Sequence, residues 1–269
     1  MVLPLHDDNP TTTKPYVTVG LMIACVLVYV WQHLLLNAEA AQRVVYALGV
    51  IPSVIMGREN LPAELALVPQ PVTVLTSMFL HGGLLHLAGN LLYLWIFGNN
   101  VEEAMGHGRF LIFYVLCGIA AVFAQVLPNP GSIVPMIGAS GAISGVLGAY
   151  LLLYPRARVL LGLPLGFLIV ELGRFRAGWV LLAWFVMQLL MGGMSATRPP
   201  STHGGIAFAA HIGGFVAGLL LVTVSNDAAC RCGGRTETLL HSASVARALG
   251  SKSPASRGVF WPIRLTRIS

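Results

Sequence analysis

The segment Gly138-Ala139-Ser140-Gly141 opens one apolar stretch of the chain, and His211 lies seventy-one residues later inside another. A serine hydroxyl becomes an effective nucleophile when a nearby imidazole accepts its proton. The glycines beside Ser140 would let a substrate carbonyl approach both the hydroxyl oxygen and a backbone N–H. Because both residues lie in apolar stretches, this pairing predicts a hydrolase whose nucleophile and base meet inside a membrane.

The composition independently indicates a membrane protein. The chain has 56% hydrophobic and only 10% charged residues, with a mean hydropathy of +0.77, whereas soluble domains have roughly 25% charged residues. The first apolar stretch, Tyr16 to Leu36, is long enough to span a bilayer and lacks the short core and small-residue cleavage site of a signal peptide. We expect it to remain as the first span.

Six apolar stretches are candidates for membrane spans. Several approach the ~20 residues needed to cross ~30 Å of hydrocarbon, and in lipid the backbone must satisfy its own hydrogen bonds by forming helices. The sequence therefore predicts an all-α polytopic membrane protein, a bundle of six transmembrane helices. The sequence shows no internal repeat, which argues against a transporter built from duplicated halves. The stretches are 16–37, 82–98, 110–127, 139–154, 177–194 and 204–225.

The predicted membrane domain occupies residues 16–226, between an N-terminal segment, 1–15, and a basic tail, 227–269. The tail is rich in Ser, Arg and Gly with few large apolar groups, which is typical of a flexible segment. Residues 38–80 mix charged and apolar side chains, which favours an outer loop lying partly in the headgroup layer.

The distribution of basic residues predicts the orientation. With six spans, thirteen of the sixteen Lys and Arg residues lie on the side of the N-terminus. The positive-inside rule then places both termini in the cytoplasm, and we expect a multi-pass protein of the cell (plasma) membrane. The net charge of +6 favours anionic lipid of the bilayer over nucleic acid as the partner, because the basic residues lie beside the spans and in the tail.

Helix geometry predicts that Ser140 and His211 share a depth. A helix from Ser140 to Tyr154 is roughly 22 Å long, so Ser140 would lie on the order of 10 Å below the outer boundary. His211 would lie about as deep if the sixth span begins near His203 or Gly204.

Glycines on both spans allow close backbone approach, although general helix packing also explains them. They are Gly141, Gly145 and Gly148 on the fourth span, and Gly214 and Gly218 on the sixth.

A third polar cluster lies at the outer end of the second span. It contains His81, His86 and Asn90, and the last two are spaced i, i+4 on one helical face. Polar groups at this depth usually face a wet cavity or a partner. They are candidates to donate hydrogen bonds to an oxyanion together with the Ser140 N–H. Alternatively, they bond only to one another or to a loop.

No carboxylate is expected at the depth of His211, because all ten acidic residues fall outside the predicted spans. The sequence thus predicts a Ser/His dyad whose activity falls on acidification as the imidazole becomes protonated. No metal ion or other cofactor is predicted. Cys25 and Cys117 are expected in the core, and Cys230 and Cys232 form an isolated pair in the tail.

Three motifs in order and at matching spacing resemble the rhomboid family of intramembrane serine proteases. They are His81-Gly-Gly-Leu-Leu-His86-Leu-Ala-Gly-Asn90, Gly138-Ala-Ser140-Gly141 and Ala210-His211-Ile-Gly-Gly214. The resemblance covers about residues 16–225. It implies a rhomboid-like fold and cleavage of transmembrane protein substrates without metal or nucleotide.

The resemblance also implies roles for individual residues. Ser140 would be the nucleophile and His211 the general base, while His86, Asn90 and the Ser140 N–H would stabilise the oxyanion. Residues Val101 to Gly106 resemble a structural loop of the family, which makes Glu102 a scaffold residue. Four further residues would support the site: His81, Gly138, Gly141 and Gly214.

Two departures from the family pattern stand out. Ser144 occupies a position that is often aromatic in the family, where the ring would pack on the histidine, and a Trp-Arg pair found in the first loop of some members is absent. The competing interpretations are a catalytically silent rhomboid relative that binds membrane clients, and an unrelated channel or transporter. Silent relatives generally lose the serine or the histidine. Since both residues are present, we predict an intramembrane serine endopeptidase.

Overall fold

The computed structural model describes residues 2–165, 168–196 and 207–224. All of them belong to one compact unit, Met1–Ala229. The predicted tail 227–269, with Cys230 and Cys232, and the expected start of the sixth span near His203 lie outside the described residues.

The first apolar stretch forms helix α1, Tyr16–Val30, which a π-helical turn continues over Trp31–Leu35. Glu102 accepts hydrogen bonds from the first backbone N–H groups of α1, those of Val17 and Thr18, at 2.9 and 2.7 Å. A carboxylate at a helix N-terminus satisfies unpaired donors and complements the helix dipole. Glu102 therefore connects α6 to the first turn of α1, and its scaffold role stays a prediction.

The predicted outer loop, 38–80, contains a series of short helices. Helix α2 spans Ala38–Leu48 and is capped by Asn37, whose side chain accepts the N–H of Ala40 at 2.8 Å. The remaining helices are α3, Pro52–Ile55; a 3₁₀ turn, Ala63–Leu65; α4, Gln70–Thr76; and a second 3₁₀ turn, Ser77–Phe79.

Two further helical segments follow, with a sharp bend before the first. Helix α5 spans Leu84–Tyr93, a π-helical turn covers Leu94–Gly98, and α6 spans Asn99–Met105. The chain turns by 82° between Ala63–Phe79 and Leu84–Met105. The bend places His81 at the corner. Helix α7 then spans His107–Val126.

Helix α8, Ser140–Leu153, lies in the centre of the bundle, with Gly141 to Tyr150 buried along its length. Helices α9, Ala177–Ala196, and α10, Phe208–Val224, complete the described helices. The sequence placed Ser140 at the start of an apolar helix, and the structure confirms this. It also confirms that Cys25 and Cys117 are buried.

Glycine contacts bring α8 and α10 together. A Cβ added to Gly214 would collide with the carbonyl oxygen of Gly141, and one added to Gly218 with that of Gly145. No side chain larger than hydrogen fits between these two backbones. The close approach predicted from the glycine spacing is therefore confirmed.

The fold is mostly helical, but the prediction of an all-α chain was wrong. Strands β1, Leu3–Asp7, β2, Arg158–Leu165, and β3, Leu168–Arg176, form an antiparallel sheet in that order. The predicted N-terminal segment thus contains the first strand. Long-range pairing creates this strand, since its register is set by residues about 150 positions away.

Asp7 anchors the sheet to the helices. Its side chain is buried and accepts hydrogen bonds from the Tyr150 hydroxyl of α8, at 2.6 Å, and from the Asn100 amide of α6, at 2.9 Å. Burial raises the pKa of the Asp7 carboxyl above its ordinary value despite these two donors. The N-terminal strand is therefore held by polar bonds inside the protein as well as by the sheet.

Helices occur in all six predicted stretches. Among the residues that the structure describes, three helices are long and apolar enough to cross a membrane, or four if the bent pair counts as one span, while α8 and the described part of α10 are shorter. These findings support a membrane protein, and the count of six crossings stays a prediction.

The glycine contact generates a stability prediction. We expect Gly218→Ala to lower the free energy of unfolding by about 1–3 kcal/mol, because the added methyl group must push α10 away from α8. The matched control is Gly20→Ala on α1, where nothing lies within 4 Å of an added Cβ. Thermal unfolding in detergent micelles measures both. Equal stability of the two variants would contradict the close contact.

Candidate active site

Ser140 and His211 lie together although they belong to different helices. Ser140 is the first residue of α8 and His211 is in the first described turn of α10. The Nε2 atom of His211 is 2.8 Å from the Ser140 Oγ, a hydrogen-bond distance. The Gly141–Gly214 contact brings the two first turns together.

Gln188 of α9 contacts the other side of the His211 ring, and sequence reasoning missed it. Its Oε1 is 2.8 Å from His211 Nδ1, and its side chain is buried. A carboxamide oxygen accepts a hydrogen bond, so His211 Nδ1 carries the proton and Nε2 presents its lone pair to the Ser140 hydroxyl. The available signal was a single polar residue in the middle of an apolar stretch.

Helix α9 also supplies an aromatic neighbour to the histidine. Trp184 lies one turn before Gln188, and its ring centroid is 6.0 Å from that of His211. Ser144 does not provide such a ring. Its hydroxyl donates instead to the backbone carbonyl of Ser140 at 2.7 Å. The aromatic ring near His211 is thus supplied by Trp184 of α9 and not by residue 144 of α8.

A contact with α7 fixes the first turn of α10. The backbone N–H of Ala210 donates to the Gln125 side-chain oxygen at 3.2 Å. This bond satisfies one of the donors that a helix start leaves unpaired. His211, the next residue, is consequently held by α7, α8 and α9 together.

Gly138 brings His86 beside Ser140. Its φ is +120°, and a Cβ at this position would lie 2.7 Å from His86 Nε2 and 3.8 Å from Ser140 Oγ. Only glycine combines this backbone conformation with so close a neighbour. The Gly82 N–H donates to His86 Nδ1 at 3.4 Å, which leaves the ring proton on Nε2, the atom next to Gly138.

Asn90 and His81 are both buried and only partly hydrogen-bonded. Asn90 lies one turn after His86, and its buried amide nitrogen has no partner among the described residues. His81 is fully buried, its Nδ1–H donates to the Phe79 carbonyl at 3.1 Å, and its ring packs on that of His86 at 5.1 Å. His81 is thus bonded to its loop through Nδ1 only, and its Nε2, like the Asn90 amide nitrogen, has no partner among the described residues.

A small cavity adjoins the Ser140 hydroxyl. It measures about 30 Å³ and is lined by Ser77, Gly138, Ser140, Gly141 and Ala210, among others. A volume of this size holds a water molecule. In the described part of the chain, no group of three or more His, Cys, Asp or Glu residues could hold a metal ion.

A family model for the rhomboid domain matches residues 68–226, more than half of the chain. The chain belongs to the rhomboid family. All three motifs quoted above fall within the matched residues.

This rhomboid is similar to several curated relatives. It is 47% identical over 78 residues to the rhomboid protease GluP of Bacillus subtilis, covering 29% of this chain and 15% of that protein. It is 31% identical over 158 residues to the mitochondrial rhomboid protein 1 of Saccharomyces cerevisiae, covering 57% and 41% of the two chains. The human mitochondrial presenilin-associated rhomboid-like protein is 30% identical over 156 residues, covering 57% and 38%. The rhomboid therefore spans less than half the length of each.

The contact between Gln188 and His211 generates a kinetic prediction. We expect Gln188→Leu to lower kcat by about tenfold to a hundredfold with little change in KM, because the ring loses the hydrogen bond that orients it. Gln188→Glu should keep most activity at alkaline pH, since a carboxylate also accepts the Nδ1–H. Its acid limb should move to higher pH, because the carboxylate stabilises the protonated imidazole.

The matched control is Met187→Leu, an exposed neighbour on the same helix. Cleavage of a reporter in proteoliposomes measures kcat, KM and the pH profile. A purely structural role for Gln188 would lower the activity of the Leu and Glu variants alike and leave both pH profiles unchanged.

Proposed function

We propose that this rhomboid is an intramembrane serine endopeptidase that uses Ser140 as nucleophile and His211 as general base. The observation that carries the proposal is the 2.8 Å contact between Ser140 Oγ and His211 Nε2. The Nδ1–H on the other side of the same imidazole donates to the side-chain oxygen of Gln188. In a histidine oriented in this way, Nε2 is the basic nitrogen, and it faces the serine hydroxyl whose proton it would accept.

The proposed reaction proceeds in two halves. His211 Nε2 accepts the hydroxyl proton as Ser140 Oγ attacks the peptide carbonyl carbon, and the resulting tetrahedral oxyanion collapses as the amine leaves with the proton from His211. A water molecule then attacks the acyl ester while His211 accepts its proton. Breakdown of the second tetrahedral intermediate returns the proton to Ser140 Oγ and releases the new carboxyl end.

Three donors are available for the oxyanion. The backbone N–H of Ser140 is at the start of α8 and has no acceptor within the helix. His86 Nε2 lies beside Gly138, and the Asn90 amide nitrogen, which bonds to none of the described residues, lies one turn further along α5. Removing one donor of this kind from a serine protease typically costs 10² to 10³ in kcat.

The alternative is a rhomboid-like protein that binds membrane clients without cutting them. Such a protein has no need for a hydrogen-bonded serine and histidine, nor for the buried glutamine that sets the tautomer of the ring. The GluP relative is named as a protease, which favours the enzymatic proposal.

We further propose transmembrane proteins as the substrates, and an orientation with the N-terminus and the β2–β3 hairpin on the cytoplasmic side. The orientation rests on the basic residues of the hairpin and its neighbourhood. The plasma membrane is not favoured over an organelle membrane, because two of the relatives are mitochondrial.

A serine variant tests the nucleophile. We expect Ser140→Ala to lower the cleavage rate by at least about a thousandfold. It should also abolish labelling by a fluorophosphonate, while thermal unfolding stays near that of the unaltered protein because only one hydroxyl is removed. The matched control is Ser144→Ala, one turn along α8. Cleavage close to the normal rate in Ser140→Ala would contradict the assignment and indicate Ser144 instead.

The position of Ser140 at a helix start predicts how substrates are cut. A peptide carbonyl inside an intact helix is hydrogen-bonded and screened, so attack requires local unwinding. We expect a reporter helix carrying Gly-Ala near its outer end to be cut there, and a matched reporter with Leu-Leu to be cut much more slowly. Mass spectrometry of the products locates the cut. Equal cutting of both reporters would refute the need for unwinding, and a cut at the cytoplasmic end would refute the proposed orientation.

A further inference from the structure

The β2–β3 hairpin connects the end of α8 to the start of α9 and carries a cluster of arginines at its base. Arg158 and Arg176 are directly opposite each other in the antiparallel pair, and Arg174 is opposite Leu160. Arg156 lies two residues before the hairpin. Like charges placed directly opposite on two strands destabilise a sheet.

No carboxylate forms an ion pair with these four arginines in the part of the chain that the structure describes. Three carboxylates lie on the neighbouring strands and loops, and one of them, Asp7, is buried and bonded to Tyr150 and Asn100. Asp8 accepts the backbone N–H of Arg158 at 2.6 Å, and Glu171 is opposite Gly162, further towards the hairpin tip. Within residues 2–165, 168–196 and 207–224, the guanidinium groups at the base thus have no partner of opposite charge.

A cavity of about 300 Å³ opens beside this cluster. Its lining combines Arg156 and Arg176 with Pro155, Gly178, Trp179 and Leu182. Trp179 and Leu182 lie on the first turns of α9 and are 70% and 42% exposed. The lining therefore combines two cations with an apolar wall that continues onto a helix long and apolar enough to cross a membrane.

The described residues on either side of the hairpin turn expose mostly apolar side chains, with Glu171 as the one carboxylate among them. Such a patch on a water-exposed hairpin is costly, whereas apolar side chains beside a row of arginines are typical of a segment at the membrane surface. Tryptophan is likewise enriched at the boundary between headgroups and hydrocarbon. The exposed apolar residues are Leu165, Leu168, Ile169, Val170 and Leu172.

We propose that Arg156 and Arg176 bind the phosphate of an anionic phospholipid in this cavity, with its acyl chains lying along Trp179 and Leu182. The bound phosphate supplies the missing negative charge between the strands. A lipid fits better than a soluble anion, because the apolar wall of the cavity is contiguous with the apolar surface of α9. The proposal does not depend on the peptidase activity.

The test uses the full chain in neutral detergent, titrated with phosphatidylglycerol or phosphatidylcholine and followed by native mass spectrometry. We expect phosphatidylglycerol to be retained about tenfold more strongly than phosphatidylcholine. The double variant Arg156→Gln with Arg176→Gln should lose this preference, and Arg156→Lys with Arg176→Lys should keep most of it. Thermal unfolding checks that each variant is folded, and the Lys variant carries the test if the Gln variant is not.

The matched control is Arg43→Gln with Arg58→Gln, which removes the same charge from two exposed residues beyond the opposite end of α1. This variant should bind phosphatidylglycerol normally. Loss of the preference in the control as well would refute the site, because it would indicate a general charge effect. Displacement of the lipid by glycerol phosphate as readily as by phosphatidylglycerol would also refute it, since a soluble anion would then suffice. A shift from monomer to dimer on mutation, with lipid binding unchanged, would reassign the surface to a second copy of the chain.

Discussion

The backbone contact between α8 and α10 is the constraint on which the candidate site depends. At Gly141–Gly214 and Gly145–Gly218 the two helices meet without an intervening side chain. In lipid this packing cannot draw on the hydrophobic effect between helices, so close van der Waals contact must hold them together. The same contact brings the first turn of α10 against the first turn of α8. The glycine contact that stabilises the helix pair therefore also positions Ser140 and His211 for their hydrogen bond.

The elements around this pair hold the remaining polar groups in place. Gln125 of α7 fixes the start of α10, and Gln188 of α9 fixes the ring of His211. On the opposite side, the bend before α5 brings His81 and His86 to the corner of the chain, where Gly138 allows His86 to approach Ser140. Each contact crosses between elements that are distant in sequence, so the site exists only when the bundle is assembled.

Local sequence signals predicted the helices, the glycine contact and the residues that meet at Ser140. They failed where the structure depends on long-range geometry. The strand Leu3–Asp7 exists because Arg158–Leu165 pairs with it, and nothing in five residues of mixed character indicates that partner. Gln188 was not predicted because a neutral carboxamide orients His211, whereas the charge pattern of the sequence identifies only carboxylates. Which face of α9 meets His211 depends on the packing of that helix, which the apolar pattern of residues 177–194 does not determine.

A neutral partner for the histidine suits its position in an apolar bundle. An ionised carboxylate buried there would lose its hydration, and the cost is several kcal/mol unless strong partners replace the water. A carboxamide oxygen orients the ring without that cost, but it provides less electrostatic stabilisation once the ring is protonated. Under the proposed mechanism, more of the transition-state stabilisation must then come from the oxyanion donors. The amide nitrogen of Asn90, which is buried without a partner in the described part of the chain, fits this requirement, because the developing oxyanion would give it an acceptor.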